Sequence, residues 1–537
     1  MLQITINLKH FITITGKIAP LFSETCFLMI TFHRFKQFYT HSVIAISTLT
    51  LIGCAQPLST IKTATYSNVD NYNTTLLKKT LPYTQAHPDK TGFYPLGDGQ
   101  AAFLARLAII EGAQKTIDVQ YYIYRDDATS NLLTWYLYQA AERGVRVRLL
   151  LDDMQNRDDQ VLANLSAHPN IEVRFFNAFG NRSFKPLSFL TDFDRLNRRM
   201  HNKSIIADGV FAITGGRNIG DEYFSANNNV EFDDFDLLMI GKIIPRVSRQ
   251  FDEYWNSKPA TPIEMLVAEA HLPTADQLQQ WKQAQKQYLT SDYARSLKQH
   301  PMAKKLSNQT LPFYWADAEL VYDTPYKVKN SQDDLLLYHL STMIGQAKTD
   351  FLLISPYFVP TEAGVKALVN AAKRGLNITI VTNSLASNDV FAVHGWYSKY
   401  RKEMLEHGIK LYEIKTDPKI KRKHSWLGNS RSSLHAKTFI IDRKKVFVGS
   451  FNFDPRSAYL NTEMGVIVDS QPFSDIFYAD LDHLLKKSAY RLSLDNNNDI
   501  IWTDDITGKQ FDSEPDSSSM LKMGAWLAGA LPIEKHL

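Results

Sequence analysis

The sequence predicts an α/β chain made of two similar domains, each an α/β/α sandwich, related by a pseudo-twofold with a site at their interface. Three observations predict it. The pattern His-x-Lys-x-x-x-x-Asp occurs twice, as His201, Lys203, Asp208 and as His435, Lys437, Asp442, a coincidence on the order of one in a thousand by chance. The stretch 140–147, AAERGVRV, is echoed at 371–378 by AAKRGLNI, 231 residues on, close to the 234 residues between the two motif histidines. In each half a helical pattern ending at Gly144 or Gly375 feeds an apolar strand, 147–151 or 378–382, and then the motif itself.

Taken in order, the chain opens on a segment that reads as targeting. Arg34 and Lys36 precede an apolar stretch, 43–52, that closes on Leu51-Ile52-Gly53-Cys54. This is the pattern of a lipoprotein signal spanning 1–53, with Met29 as an alternative start, cleavage at Cys54 and lipid on its thiol and new amino group. Ten or so apolar residues are too few to cross a bilayer. Ala55 after the cysteine fits outer-membrane sorting, so the expectation is a membrane-anchored lipoprotein facing the periplasm. Cleavage would remove Cys26 and consume Cys54, which leaves no thiol chemistry.

A lead-in, 54–95, then precedes a first domain, 96–262, a helical connector, 263–312, a second domain, 313–490, and a tail, 491–537. Within the connector, 275–298 is rich in Gln, Lys, Ala and Leu and reads as helix. In the tail, Met523, Trp526, Leu527 and Leu531 with small residues between them fit either a membrane-interface segment or a helix docked on the body.

Composition narrows the function. Hydrophobic residues at 44% and aromatics at 12% exclude a disordered chain. A net charge of +4 is too mild for a general electrostatic nucleic-acid binder, so nucleic acid is not an expected partner. The charge is uneven, however. Lys415, Lys419, Lys421, Arg422, Lys423 and Arg431 surround Trp426, and Arg195, Arg198 and Arg199 precede the first motif. These stretches read as solvated loops or as patches that meet anionic phospholipid headgroups.

Each motif copy reads as a hairpin. In the first, an apolar run ends at Asp208-Gly209, a turn dipeptide, and 210–214 returns. In the second, 434–441 goes out, 442–445 turns and 446–448 returns. On an extended strand His and Lys two positions apart leave the same face, while Asp208 and Asp442, at odd spacing and in the turn, brace the hairpin. The return strands run into Gly215-Gly216-Arg217-Asn218 and Gly449-Ser450-Phe451-Asn452, where glycine permits a sharp bend and each Asn presents an amide. Two His, two Lys and two Asn meeting between the halves suit a phosphodiester. Lysine supplies fixed charge, Asn218 and Asn452 donate to phosphoryl oxygens, one His attacks phosphorus and the other moves protons, with no metal or cofactor required.

The duplicated motif resembles the signature of the phospholipase D superfamily. Within it, RRMHNK at 198–203, GGRNIGDEYF at 215–224 and GSFNFDPRS at 449–457 are similar to the bacterial cardiolipin synthases, as are IDVQYYI at 117–123, YFVPT at 357–361, NSLASNDV at 383–390 and NTEMG at 461–465. The likeness covers 96–502, with a departure at Arg431-Ser432, where relatives often carry small residues. The resemblance implies a phosphatidyltransferase with His201 as nucleophile through a phosphatidyl-histidine, and His435 as general acid and base. It also implies phosphatidylglycerol as acceptor and phosphatidylethanolamine or a second phosphatidylglycerol as donor. A hydrolytic phospholipase D, a superfamily nuclease and an inactive lipoprotein that binds anionic lipid are the rival readings. Each histidine needs a carboxylate to fix its tautomer, and the expected partners are Asp234 or Asp236 for His201 and Glu463 for His435.

Overall fold

The computed structural model describes residues 62–67 and 73–537, apart from 156, 183, 227–230, 268, 330–334 and 417–431. Cys54 and its signal, and the basic residues Lys419, Lys421, Arg422, Lys423 and Arg431 around Trp426, lie outside the described residues.

In the first half, Thr116–Tyr121, Arg146–Asp152 and Ile171–Phe176 run parallel, with Ala260–Pro262 antiparallel at the far edge. On the other side Ser204–Ala207, Phe211–Gly215, Asp236–Gly241 and Thr91–Leu96 continue the sheet antiparallel. The second half repeats this order. Asp350–Ile354, Asn377–Asn383 and Lys410–Ile414 are parallel, followed by Ala489–Leu494, while Thr438–Ile441, Lys445–Gly449, Met464–Asp469 and Tyr314–Tyr322 extend the other side. Thr91–Phe93 pairs antiparallel with Tyr314–Ala316, so the halves join into one 18-stranded sheet whose order is the same read outward from this junction. That repetition is the pseudo-twofold.

Parallel neighbours require crossovers, and the crossover helices are Ala128–Glu142 and Thr361–Lys373. Both end as the sequence leads one to expect, with Gly144 at φ 84° and Gly375 at φ 95° in the left-handed region that ends a helix without a Cβ penalty.

Three apolar layers result. In the hairpin strand Ser204–Ala207, Ile205 and Ala207 enter the core under the first half's outer helices, while Ile206 points into a layer shared by both halves. That shared layer holds Met200, Leu237 and Met239 from one half and Val446, Val448, Val466 and Val468 from the other. Helix Ile244–Asn256 closes it with Val247, Phe251, Tyr254 and Trp255, a stripe at helical spacing. Burying apolar strand faces against each other is what holds the halves in register, since each fully buried aliphatic or aromatic side chain contributes about 1.5–3 kcal/mol.

The helix expected over 275–298 becomes two, Ala275–Thr290 and Asp292–Gln299, interrupted because Ser291 caps the second with its hydroxyl, and a third, Pro301–Ser307, follows in the connector. The first two bury Trp281 and Leu297 in the first half's outer core. The expected tail is built into the second half. Ile500–Thr503 and Gln510–Phe511 add two strands beyond Ala489–Leu494, and helix Ser519–Ala530 packs on helix Phe391–Tyr397.

Candidate active site

Both motif hairpins turn through residues with positive φ: Asp208 and Gly209 at 53° and 60°, Asp442 and Arg443 at 50° and 53°. The two aspartates do equivalent work. Asp208 accepts from the backbone N–H groups of Gln114, Lys115 and Thr116, and Asp442 from those of Lys348, Thr349 and Asp350, so each ties its hairpin to the start of the neighbouring parallel strand.

The histidines stand just ahead of the hairpin ladder and not on it. Ser204–Ala207 and Thr438–Ile441 begin after Lys203 and Lys437, because the backbone at each histidine pairs with the opposite half. His201 N–H donates to Thr462 O at 2.8 Å, and His435 N–H to Asp233 O at 2.7 Å, where Ser432–Leu434 runs parallel to Glu231–Asp233.

This exchange corrects the expected carboxylate pairing. His201 Nδ1 donates to Glu463 Oε2 at 2.9 Å, and His435 Nδ1 to Asp234 Oδ2 at 2.5 Å, so each histidine is oriented by the carboxylate of the other half. Asp236 orients no histidine; it is buried against Arg106 at 2.8 Å and Arg217 at 3.4 Å. Spacing within a half carries no information on which half supplies the partner. Glu463 is held in turn by the hydroxyls of Ser450 at 2.5 Å and Ser457 at 2.8 Å.

Lys203 Nζ lies 2.6 Å from the carbonyl of His201, and Lys437 Nζ is hydrogen-bonded to the carbonyl of His435. Each ammonium therefore sits beside its own imidazole, as the two-residue spacing implies. Asn218 is locked, its Oδ1 accepting from Ile123 N–H and its Nδ2 donating to the Tyr223 hydroxyl at 2.9 Å. Asn452 Oδ1 is buried with no hydrogen-bond partner in the described structure.

Several contributors were not singled out in the sequence. Tyr122 meets His201 edge-on at 4.9 Å, and Tyr223 meets His435 at 5.3 Å. At the C-terminal ends of equivalent parallel strands, Asp152 accepts from Met200 N–H at 2.8 Å and Asn383 from Leu434 N–H at 3.0 Å, and so each fixes the residue ahead of a motif histidine. The tyrosines and Asn383 fall in stretches marked by the family resemblance, but Asp152 has no local signature, since its role depends on a contact 48 residues away.

Electrostatics follow from burial. Removal from water holds His201 down to about 4 and His435 to about 3, with the lysine charges adding to the effect and Glu463 and Asp234 opposing it. Burial also lowers Lys203 to about 7 and Lys437 to about 8, against the pull of the same carboxylates. Burial alone would raise Glu463 and Asp234, but the facing imidazoles and lysines outweigh it and hold both below their usual range. A carboxylate within 3 Å of each Nδ1 requires the proton on that nitrogen, so each Nε2 carries the lone pair. One neutral imidazole can attack a phosphodiester and the other, once protonated, can give the leaving alcohol its proton, with two lysines and two amides beside them to stabilise the phosphoryl oxygens.

Fold and site together define a phospholipase D-type phosphoryl-transfer enzyme with both motifs in one chain. The chain belongs to the family described as "Cardiolipin synthase, PLD-like domain", whose sequence model matches residues 107–255 and 340–485. It is 42% identical to cardiolipin synthase C of Escherichia coli over 86% of this chain and 99% of that one. An uncharacterized protein of Helicobacter pylori is 33% identical over 75% of this chain and 81% of its own length. Among solved structures, the phosphatidylserine synthase of Haemophilus influenzae matches with a TM-score of 0.55 at 11% identity, over 86% of this chain and 100% of that one, a likeness of fold.

Proposed function

We propose that this protein makes cardiolipin by transferring a phosphatidyl group to phosphatidylglycerol, with phosphatidylethanolamine or a second phosphatidylglycerol as donor. It does so as a lipoprotein anchored through Cys54 and facing the periplasm, most consistent with the outer membrane. The observation that carries the chemistry is the crossed pair of histidine–carboxylate dyads, flanked by two lysines and two asparagines, at the junction of the halves.

In the first step His201 Nε2 attacks phosphorus. The N–P bond forms as the bond to the leaving alcohol breaks, and His435 gives that alcohol its proton. An anionic phosphodiester oxygen beside His435 favours the protonated form of that imidazole, which supplies the proton the leaving alcohol takes, while His201 attacks as the neutral base. In the second step neutral His435 takes the proton from the acceptor's glycerol hydroxyl, whose oxygen displaces His201. The products are cardiolipin and ethanolamine or glycerol, and two in-line displacements retain configuration at phosphorus. Lys203, Lys437, Asn218 and Asn452 stabilise the phosphoryl oxygens, each such donor being worth about 100 to 1000-fold in rate. The family pattern favours the first-motif histidine as nucleophile.

The test is to incubate the lipidated protein with mixed phosphatidylglycerol and phosphatidylethanolamine vesicles and identify products by mass spectrometry, beside His201→Ala and His435→Ala. Cardiolipin that disappears in both variants is expected, and its acyl chains identify the donor. Phosphatidic acid alone would make the protein a hydrolase, and DNA cleavage without lipid turnover would make it a nuclease.

A further inference from the structure

We propose that the outward face of the C-terminal helix, joined to the apolar edge of residues 184–193, is the surface on which this protein rests on an anionic phospholipid bilayer. This deepens the lipid-transfer reading above and rests on it.

Helix Ser519–Ala530 docks by its small residues. Ala525 and Gly529 lie against Gly395 so closely that a Cβ at Gly395 would collide with the Ala525 carbonyl, and Gly524 faces the ring of Phe391. The opposite face is apolar too. Met520 is 69% exposed, Met523 57%, Trp526 69% and Leu527 50%, a single stripe at i, i+3, i+6 and i+7, and Leu531 continues it at 54%. A helix apolar on both faces has two partners, of which the protein supplies one.

The second stretch is Phe184, Leu190 and Phe193, exposed at 60%, 81% and 46%. This second stretch is fastened to the end of the chain, a few residues beyond the helix. The Phe193 ring meets His536 at 5.7 Å, Asn197 contacts His536 Nδ1 at 3.2 Å, and the Arg456 guanidinium donates to both Asn197 Oδ1 and the His536 carbonyl. An exposed apolar patch of this extent marks an interaction surface.

Charge selects the partner. Lys399, exposed beside the end of the helix and 3.5 Å above the Trp396 ring, and Lys522 and Lys535 on the helix and just beyond it, put cations at the rim of the apolar face, as an anionic headgroup layer requires. No helix among the described residues is long and apolar enough to cross a membrane. Position fits the chemistry. Helix Phe189–Leu196 leads within a few residues to His201, and helix Phe391–Tyr397 follows Asp389, which accepts from the Tyr357 hydroxyl at 2.8 Å.

The test compares the full-length protein with its Met523→Ser, Trp526→Ser, Leu527→Ser variant, whose docked helix face is untouched. Turnover is measured on phosphatidylglycerol and phosphatidylethanolamine vesicles and on the same lipids in detergent micelles, with circular dichroism to confirm the fold. Expected is a loss of about tenfold or more on vesicles with micelle turnover within about twofold of the parent. Tryptophan quenching by brominated phosphatidylglycerol vesicles is expected to fall in Trp526→Phe. Equal vesicle turnover, or quenching independent of Trp526, overturns the surface. So does a variant that binds vesicles normally but loses self-association in sedimentation, which would assign the face to a second copy. If the parent turns over neither preparation, the lipid-transfer reading fails, and the quenching still decides the surface.

Discussion

His201 and His435 occupy equivalent hairpins, yet the carboxylates that orient them are built differently. Ladder register aligns Gly215 with Asp236 and Gly449 with Gly465, which makes Gly216 the counterpart of Ser450 and Asp234 that of Glu463. In the first half Gly216 leaves bare the space that the short Asp234 side chain fills. In the second, Ser450 has a hydroxyl to spend on the longer Glu463, and Ser457 holds its other oxygen. Each half then lends its carboxylate to the other's histidine. Neither half is therefore a catalytic unit, and the pseudo-twofold is part of the chemistry.

The largest effect follows from losing either histidine. His201→Ala and His435→Ala each lower turnover by about 10⁴-fold or more, because residues acting as a unit fail together. The crossing itself can be broken separately. With a donor whose leaving group needs no proton, His435→Ala still forms the phosphoenzyme and accumulates it on His201. Adding Glu463→Gln to that background prevents trapping, whereas adding Asp234→Asn does not. Trapping lost with Asp234→Asn and kept with Glu463→Gln would restore the uncrossed pairing.

Next in size is the Gly216 and Ser450 contrast. A Cβ at Gly216 would run into the Asp234 carboxylate, so Gly216→Ser displaces it and costs about 100-fold in rate. Ser450→Gly removes one hydrogen bond to Glu463, which Ser457 still holds, and costs about tenfold. Equal losses in steady-state assays would show that the two supports are interchangeable.

The lysines differ as well, and pH reads the difference. Both act as cations, so kcat/KM falls as pH rises through about 7 and then about 8, where Lys203 and Lys437 lose their charge. On the acid side protonation of His201 near pH 4 stops the attack, while the general acid His435, held to about 3, gives up its proton over the same range, so the two histidines pull the profile in opposite directions there. Lys203→Arg keeps its charge throughout, so the limb near 7 disappears and the limb near 8 stays. An unchanged alkaline limb would assign it to another group.

What was legible in the sequence follows the range of the interactions. The motif residues, the hairpin turns and the aspartate braces depend on neighbours within one supersecondary unit and on the repeat, and both were in view. The α/β class was likewise readable from helices ending at Gly144 and Gly375 before apolar strands. The exchange of Glu463 and Asp234 was not, because it is settled by backbone pairing of His201 with Thr462 and of His435 with Asp233, across more than 200 residues. Asp236 misled for a related reason. It sits two residues from Asp234 and thus on the same side of an extended chain, but Arg106 and Arg217, one of them far upstream, claim it. The connector and the end of the chain read as appendages because nothing local shows that Trp281 enters the first core or that Ile500–Thr503 extends the second sheet.

The smallest expected difference lies in the braces. Asp208 is fully buried and Asp442 half-buried, although each accepts from three backbone N–H groups. Asp208→Asn keeps one acceptor oxygen but leaves backbone donors unsatisfied out of reach of water, which costs about 1–3 kcal/mol. At Asp442 water can replace what is lost, and the expected cost of Asp442→Asn is under about 1 kcal/mol. Burial pushes the Asp442 carboxyl up, but the N–H groups of Thr349, Lys348 and Asp350 outweigh it and hold the group below its ordinary value. A depressed carboxyl stabilises the fold above the unfolded pKa of about 3.9 and ceases to as pH falls through the lower folded one. Asp442→Asn should therefore cost less at pH 3 than at pH 7 in urea unfolding. A larger loss at Asp442 than at Asp208 at neutral pH would mean that the second hairpin, with Arg443 in the left-handed region where the first has Gly209, depends on its brace to hold the turn.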